Sequence, residues 1–131
     1  MNQKQLTNLV LEAAVVKRML RTGWQIMGDN EEELGGHVFM TAVIAYFLAK
    51  QLKANMEKVL TMAVFHDFHE ARTGDMDKIA KFYMSRDQDK ANKDIFEGVD
   101  DDLLAQLTLE ARIVYEANVI AFLVELKLLV E

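Results

Sequence analysis

Histidine and acidic side chains come close together near the middle of the chain, and these are the residues best suited to chemistry. His66 is followed directly by Asp67, and His69 and Glu70 come next. Imidazole nitrogens and carboxylate oxygens bind divalent transition metals and also transfer protons. The pair is flanked by apolar residues, and burying ionisable groups is costly unless they are paired or metal-bound. The two interpretations are a metal or acid–base site and a satisfied ion pair without function; a His-Asp dipeptide alone more often means the second.

Composition limits the kind of metal site that this chain can build. Its 131 residues include no cysteine and only three histidines, His37, His66 and His69. A disulfide framework and a thiolate zinc site are therefore excluded. The two-histidine spacing of zinc proteases is also absent, since no His-Glu-x-x-His occurs. Any metal has to be held by histidine, carboxylate, amide or water.

Charge and hydropathy limit the classes of binding partner that this chain is suited to. The chain has 15 basic and 21 acidic side chains, a formal net charge of −6. An acidic protein without a cluster of Lys or Arg lacks the surface that follows nucleic-acid phosphates. No segment reaches the roughly 18 apolar residues of a membrane span, and the start lacks the features of a signal peptide. We expect a cytoplasmic protein, with neither a nucleic acid nor a membrane as its partner, formed by one domain over residues 1–131.

The elements that must position these side chains are helices, because apolar residues recur at spacings of three and four along most of the chain. Strand-like alternation is absent and there is no proline, so the sequence predicts an all-α bundle. The first expected helix has Thr7 as a candidate N-cap and stops near Thr22-Gly23, and the second runs from about His37 to about Lys53. The third begins at Met56, capped by Asn55, and ends at a left-handed C-cap at Gly74. A short helix followed by a mobile or exposed region should cover residues 75–97, and a last helix capped by Asp100 or Asp101 should run from about Asp101 to Val130.

The histidines fall near the ends of these predicted helices. Neighbouring residues on a helix point about 100° apart, so His66 and Asp67 would not face each other. Both side chains could still bend toward one ion between their directions. The spacing therefore allows the two side chains to share a ligand but does not decide between a metal site and a pair without function.

A longer pattern surrounds the dipeptide. The run is His66-Asp67-x-x-Glu70-x-x-Thr73-Gly74-Asp75, followed by Lys81-Phe82-Tyr83 and preceded by Arg21, Gly23, Trp24, Glu32 and His37. From Lys17 to about Val130 this arrangement resembles the HD-domain phosphohydrolase superfamily, and within it the small 5′-deoxyribonucleotidase-like branch. The resemblance implies a compact HD-like bundle of about five to six helices.

The resemblance also implies a set of metal ligands. His37, His66 and Asp67 match three of the family's four ligands, and Asn118 stands where the family has an aspartate on a later helix. An amide oxygen is neutral and binds a cation more weakly than a carboxylate does. The implied cofactor is a divalent ion, Mn²⁺, Co²⁺, Fe²⁺ or Zn²⁺, with Mg²⁺ as a further candidate.

Roles for other residues follow from the same resemblance. Glu70 matches an acidic residue that the family places beside the water nucleophile, and Asp75 matches a second site carboxylate. Arg21 matches a basic residue that holds substrate phosphate. Trp24 matches a loop aromatic near the pocket, and Lys81 stands where the family often has a lysine.

The function implied is a metal-dependent phosphohydrolase that removes phosphate from nucleoside (deoxy)monophosphates or similar small phosphate esters. Two alternatives stay open, a degenerate HD fold that binds a ligand or a partner chain without catalysis, which Asn118 favours, and an HD-type phosphodiesterase or alarmone hydrolase. Relatives continue for several helical turns beyond the last matched helix. We therefore expect either that the family's C-terminal helices are absent here or that the sequence is a fragment, and we expect a homodimer that covers the exposed apolar surface.

Overall fold

Helices make up nearly all the regular structure in the described part of this protein. The computed structural model describes residues 1–21, 33–76 and 79–107, and within them it contains a single β-bridge, Leu20 to Glu33, and no strand. This confirms the predicted all-α fold. No helix of the described residues is both long and apolar enough to cross a membrane. The α-helices are α1 (Gln3–Arg18), α2 (Leu34–Leu52), α3 (Met56–Phe65), α4 (Glu70–Thr73), α5 (Gln88–Phe96) and α6 (Asp101–Leu107), and a 3-10 turn covers Ala80–Phe82.

Helix α1 begins earlier than predicted, because its N-cap is Asn2 and not Thr7. The Asn2 side chain accepts a hydrogen bond from the Gln5 backbone N–H at 2.9 Å, and the Gln5 side chain accepts one from the Asn2 N–H at 2.8 Å. Two otherwise unpaired N–H groups are satisfied in this capping box. The Thr7 hydroxyl instead donates to the Gln3 carbonyl inside the helix. The helix ends at Arg18, one turn before the predicted stop.

Helix α2 begins at Leu34, so His37 lies within the helix and does not open it. Gly35 is needed for packing, because a Cβ at this position would lie 3.0 Å from the Lys17 carbonyl oxygen of α1. The helix ends at Leu52, and Lys53 follows it in the left-handed conformation.

The predicted third helix is divided in two by a turn. Its start is as expected, with Asn55 accepting a hydrogen bond from the Lys58 N–H at 3.1 Å. Helix α3 ends at Phe65, and a turn of residues 66–69 separates it from the single turn of α4. Two backbone bonds in this turn span three residues instead of four, from the Phe68 N–H to Phe65 and from the Glu70 N–H to Asp67. This tighter winding changes the directions of the side chains that carry the motif.

Gly74 caps α4, although not in the left-handed helical conformation predicted for it. Its N–H donates to the Glu70 carbonyl at 2.8 Å. Its φ is 77° and its ψ is 160°, so the backbone leaves the helix in an extended direction. Such a pairing of angles is essentially restricted to glycine.

The segment expected to be a short helix and then an exposed region has the opposite arrangement. An exposed 3-10 turn comes first, and α5 follows it with Asp87 as its N-cap. Helix α5 is mostly polar but buries one apolar face, formed by Ala91, Ile95 and Phe96. Helix α6 begins at Asp101 as predicted.

Phe96 is at the centre of an aromatic cluster beneath the motif. Its ring centroid is 6.0 Å from that of Phe65 and 5.5 Å from that of Phe68, the residues at either side of the His-Asp pair. The side chain is only 1% exposed. The cluster therefore fixes both ends of the segment that carries the motif.

We expect Phe96→Ala to lower the free energy of unfolding by about 3–5 kcal/mol, because it leaves a cavity in a closely packed core. Urea unfolding followed by circular dichroism measures this loss. The control is Phe82→Ala, since Phe82 is 84% exposed and its removal should change stability by about 0.5 kcal/mol or less. Equal losses in the two variants would contradict the assignment of Phe96 to the core.

Candidate metal and acid–base site

His66 and Asp67 form a direct contact, because they lie in the turn after α3 and not on a regular helix. Their Nε2 and Oδ2 atoms are 3.0 Å apart. On the other side of the ring, the His66 Nδ1 lies 2.9 Å from the Ala63 carbonyl oxygen. Nδ1 must carry the proton in that bond, which directs Nε2 toward Asp67. Metal-binding histidines are oriented in the same manner by a backbone carbonyl.

The two groups stabilise each other's charged forms. Burial alone would lower the pKa of His66, but the charge and hydrogen bond of Asp67 outweigh it and raise that pKa. Burial would likewise raise the pKa of Asp67, and its attraction to His66, with smaller contributions from His37 and His69, holds that pKa well below its usual range. A divalent cation would replace the His66 proton in this arrangement, so metal and proton compete for one nitrogen.

His37 completes a three-residue group with this pair. It comes from α2, is 2% exposed, and faces the pair across the packed α2–α3 interface. His37, His66 and Asp67 each offer one ligand atom, and these atoms lie within 4.8 Å of one another. Atoms bonded to one transition-metal ion at about 2.0–2.2 Å are about 3–4 Å apart, so small side-chain movements suffice. Two imidazoles and a carboxylate fit a divalent transition metal.

Two of the predicted site residues, Trp24 and Asn118, lie outside the residues that the structure describes. Their assignments to the substrate and to the metal stay predictions. Lys81 is described, and it lies exposed on the 3-10 turn. Its predicted role in substrate binding is likewise untested.

Glu70, the second acid of the motif, is the first residue of α4 and is buried, with only 4% of its surface exposed. Burial raises the pKa of Glu70 to about 8, with further increases from the charges of Asp67 and Asp75, while Arg86 acts in the opposite direction. A carboxyl group with a pKa near neutrality exchanges its proton readily at physiological pH. Such perturbed groups are concentrated in functional sites.

Arg86 is a member of this site that sequence reasoning missed. Its Nη1 lies 3.1 Å from the Glu70 Oε1 and also donates to the Gly74 carbonyl at 3.1 Å. In the sequence Arg86 is one arginine in a segment of mixed charge, with no spacing that links it to the motif. Only the return of the chain past α4 reveals the contact.

Arg21 and Asp75, both predicted site residues, lie next to each other in the structure. Their Nε and Oδ2 atoms are 3.9 Å apart, and both side chains are largely buried. Arg21 follows the end of α1, whereas Asp75 follows the Gly74 cap. The fold thus brings a cation from the start of the chain to the second acidic residue of the motif.

His69 is buried without belonging to the three-residue group. It is 1% exposed, and burial, together with the charge of Arg86, lowers the pKa of His69 to about 4. The ring is therefore neutral at pH 7. Its position between Asp67 and Glu70 adds no charge to the site.

Comparisons with known proteins agree with this geometry. A family model described as an HD domain matches residues 13–124. The human 5′-deoxynucleotidase HDDC2 is 30% identical over 96 residues, which cover 70% of this chain and 47% of the human protein. The Xenopus laevis 5′-deoxynucleotidase HDDC2 is 28% identical over 132 aligned positions, covering 88% of this chain and 64% of that protein. The chain thus spans about half to two thirds of the length of these curated relatives.

Solved structures share the fold of this chain. A conserved hypothetical protein from Pyrococcus furiosus superposes with a TM-score of 0.79 at 31% identity, covering 91% of this chain and 81% of that one. The PH0347 protein from Pyrococcus horikoshii OT3 gives a TM-score of 0.76 at 26% identity, covering 91% and 75%. The arrangement of helices is therefore shared with known structures.

Proposed function

The chain belongs to the HD-domain family, and we propose that it is a metal-dependent phosphohydrolase that removes phosphate from nucleoside (deoxy)monophosphates or similar small phosphate esters. The observation that carries this proposal is the convergence of His37, His66 and Asp67 on one position, with the buried carboxyl of Glu70 one turn away. The HDDC2 relatives are named as 5′-deoxynucleotidases, which supports the choice of substrate class.

The metal site consists of His37, His66 and Asp67, with Asn118 proposed as a fourth ligand. When bound, a divalent ion such as Mn²⁺, Co²⁺, Fe²⁺ or Zn²⁺ would polarise phosphate oxygens and acidify a water molecule. The chain's own contribution is to hold His66 in the tautomer that directs Nε2 to the ion, through the bond from Nδ1 to the Ala63 carbonyl. This fixed orientation lowers the entropic cost of assembling the ligands.

Glu70 is proposed to transfer the proton of the attacking water. A carboxyl group whose pKa is about 8 has a proton affinity close to that needed at neutral pH, so it can accept a proton in one step and return it to the leaving group. Burial also keeps bulk water from competing for that proton. Both effects result from the same placement at the start of α4.

Arg21 is proposed to bind the substrate phosphate, with Asp75 orienting it. A guanidinium has five donors, so the approach of Asp75 to Nε does not use up its capacity for phosphate oxygens. The net charge of −6 repels a phosphate dianion from most of the surface, which makes a local cation necessary. Trp24 beside the nucleoside and Lys81 beside the phosphate are further proposed contacts.

A non-catalytic HD module is the second candidate, and the observation that favours it is Asn118 in place of the family's aspartate. With a neutral fourth ligand the site has one negative charge fewer and binds the metal more weakly. In that case the three described ligands would retain no metal during purification. The metal content of the untreated protein therefore separates the two candidates.

The test of the proposed function measures phosphate release by the purified chain with added Mn²⁺ or Co²⁺. We expect release from deoxynucleoside monophosphates that depends on metal and stops with a chelator. Cyclic nucleotides and alarmone-type nucleotides in the same panel test the phosphodiesterase alternative. No phosphate from any monoester, with metal binding demonstrated by elemental analysis, would contradict the proposal.

A further inference from the structure

Arg86 reaches back sixteen residues along the chain to bind both ends of α4. It lies in the link between the 3-10 turn and α5. One guanidinium nitrogen, Nη1, contacts two acceptors, the Glu70 carboxylate and the Gly74 carbonyl, each at 3.1 Å. Glu70 opens α4 and Gly74 caps it, so a single side chain connects its beginning and its end.

Helix α4 needs such support because it is a single turn of four residues. A helix this short is not stable by itself, since forming the first turn costs more conformational entropy than its hydrogen bonds return. Within α4, the Gly74 N–H bonds to the Glu70 carbonyl. The contact from Arg86 to the Gly74 carbonyl fixes the other side of the same peptide segment. Asp75 follows directly, so its direction toward Arg21 depends on that orientation.

A second arginine near α4 shows what an ordinary structural ion pair looks like here. Arg72 binds Glu12 of α1 and is 48% exposed, whereas Arg86 is 17% exposed and its partner Glu70 is 5% exposed. The Arg72 pair connects α4 to α1 at the surface. The Arg86 pair is buried and touches the one carboxyl group to which a proton-transfer role is assigned.

We propose that Arg86 is a positioning residue, which holds the Glu70 carboxylate and the Gly74–Asp75 turn in the geometry that the reaction requires. This inference rests on the proposed function. It assigns Arg86 no contact with substrate. Its effect passes through Glu70 and through the backbone that carries Asp75.

The test compares the steady-state kinetics of Arg86→Ala and Arg86→Lys with those of Arg72→Gln, the matched control. A misplacement of about 1 Å in a catalytic group can reduce the rate by about 100-fold. We therefore expect Arg86→Ala to lower kcat by about 10- to 100-fold while KM and metal affinity stay within about threefold of wild type. The affinity for Mn²⁺, measured by calorimetry, reports on the ligands independently of activity.

Chemical rescue distinguishes positioning from a merely structural role. Millimolar guanidinium ion should restore part of the kcat of Arg86→Ala and leave Arg72→Gln unchanged, because the added ion can occupy the space left beside Glu70. Arg86→Lys keeps a charged donor group, so its kcat should lie between those of Arg86→Ala and Arg72→Gln. It also supplies the measurement if the alanine variant does not fold.

The results distinguish a failure of the role of Arg86 from a failure of the proposed phosphohydrolase function. An active wild type with unchanged kcat in both Arg86 variants, or a loss of activity that matches the loss of folded protein and is not rescued, would overturn the role of Arg86 alone. An inactive wild type with bound metal would overturn the proposed function and the role of Arg86 together.

Discussion

Asp67→Asn should reduce the affinity for Mn²⁺ or Co²⁺ by at least about 100-fold and bring phosphate release close to background. Asp67 supplies the one anionic ligand of the three-residue group found in the described part of the chain. Loss of groups that only support a ligand already costs about 10- to 100-fold in metal affinity, and loss of a charged ligand should cost more. Calorimetric titration of the metal-free protein measures the affinity.

The expected loss has a second cause in the His66–Asp67 contact. The carboxylate lies 3.0 Å from Nε2, and this contact helps to hold the imidazole in place when no metal is present. An asparagine keeps the shape but removes the charge, so it tests electrostatics and not packing. The titration is done at one fixed pH, because Asp67 raises the pKa of His66 and protons compete with the metal for Nε2.

The matched control is Asp89→Asn, which removes the same charge from an exposed position on α5. This variant should bind metal as wild type does, because exposed charges distant from a site are screened by salt. If Asp67→Asn bound metal as tightly as the control, the three-residue group would not be the metal site.

Local signals in the sequence are sufficient to predict part of this structure. The sequence predicts Asn55 as one capping residue and either Asp100 or Asp101 as another, and in the structure Asn55 and Asp100 accept the backbone hydrogen bonds. The all-α fold followed from helical spacing. These features depend on interactions within one turn, which a sequence pattern records directly.

The division between α3 and α4 could not be predicted in the same way. Apolar spacing continues through residues 66–69, so the pattern suggests an uninterrupted helix. The turn has its own tighter hydrogen bonds, and the aromatic cluster of Phe65, Phe68 and Phe96 packs around it. Phe96 is remote in sequence, and tertiary packing of this kind overrides local preference.

The candidate site also combines features that local sequence predicts with features that depend on tertiary packing. His66 and Asp67 stood out as a motif, but their direct contact was not expected, since it depends on that turn. Arg86 was overlooked because its partner Glu70 lies sixteen residues away. Long-range ion pairs leave no periodic trace in one sequence. Residues that act through others are therefore the part of a site that only a structure reveals.

Glu70→Gln should make the protein less active and more stable at once. Removal of a general acid–base group lowers the rate by about 10²- to 10⁴-fold, so we expect kcat to fall within that range. Glutamine is neutral and has nearly the shape of a protonated glutamate. Its contact with Arg86 should therefore resemble the contact that the protonated Glu70 makes. Phosphate release at saturating substrate measures the loss, and Glu57→Gln, at an exposed position in the first turn of α3, is the control.

The gain in stability depends on pH in a direction that the raised pKa determines. Glu70 has an ordinary pKa of 4.5 when unfolded and about 8 when folded, so the folded protein keeps a proton that the unfolded chain releases. The stability that this proton contributes is fully present below pH 4.5 and is lost as the pH rises through 8. Glutamine loses nothing over that range, and the advantage of Glu70→Gln should reach about 2–4 kcal/mol above the folded pKa. Thermal unfolding with a chelator present, from pH 5 to pH 9, measures this difference in stability. If Glu70→Gln were no more stable than wild type at pH 9, the Glu70 carboxyl group would not be in a buried position that disfavours its charge.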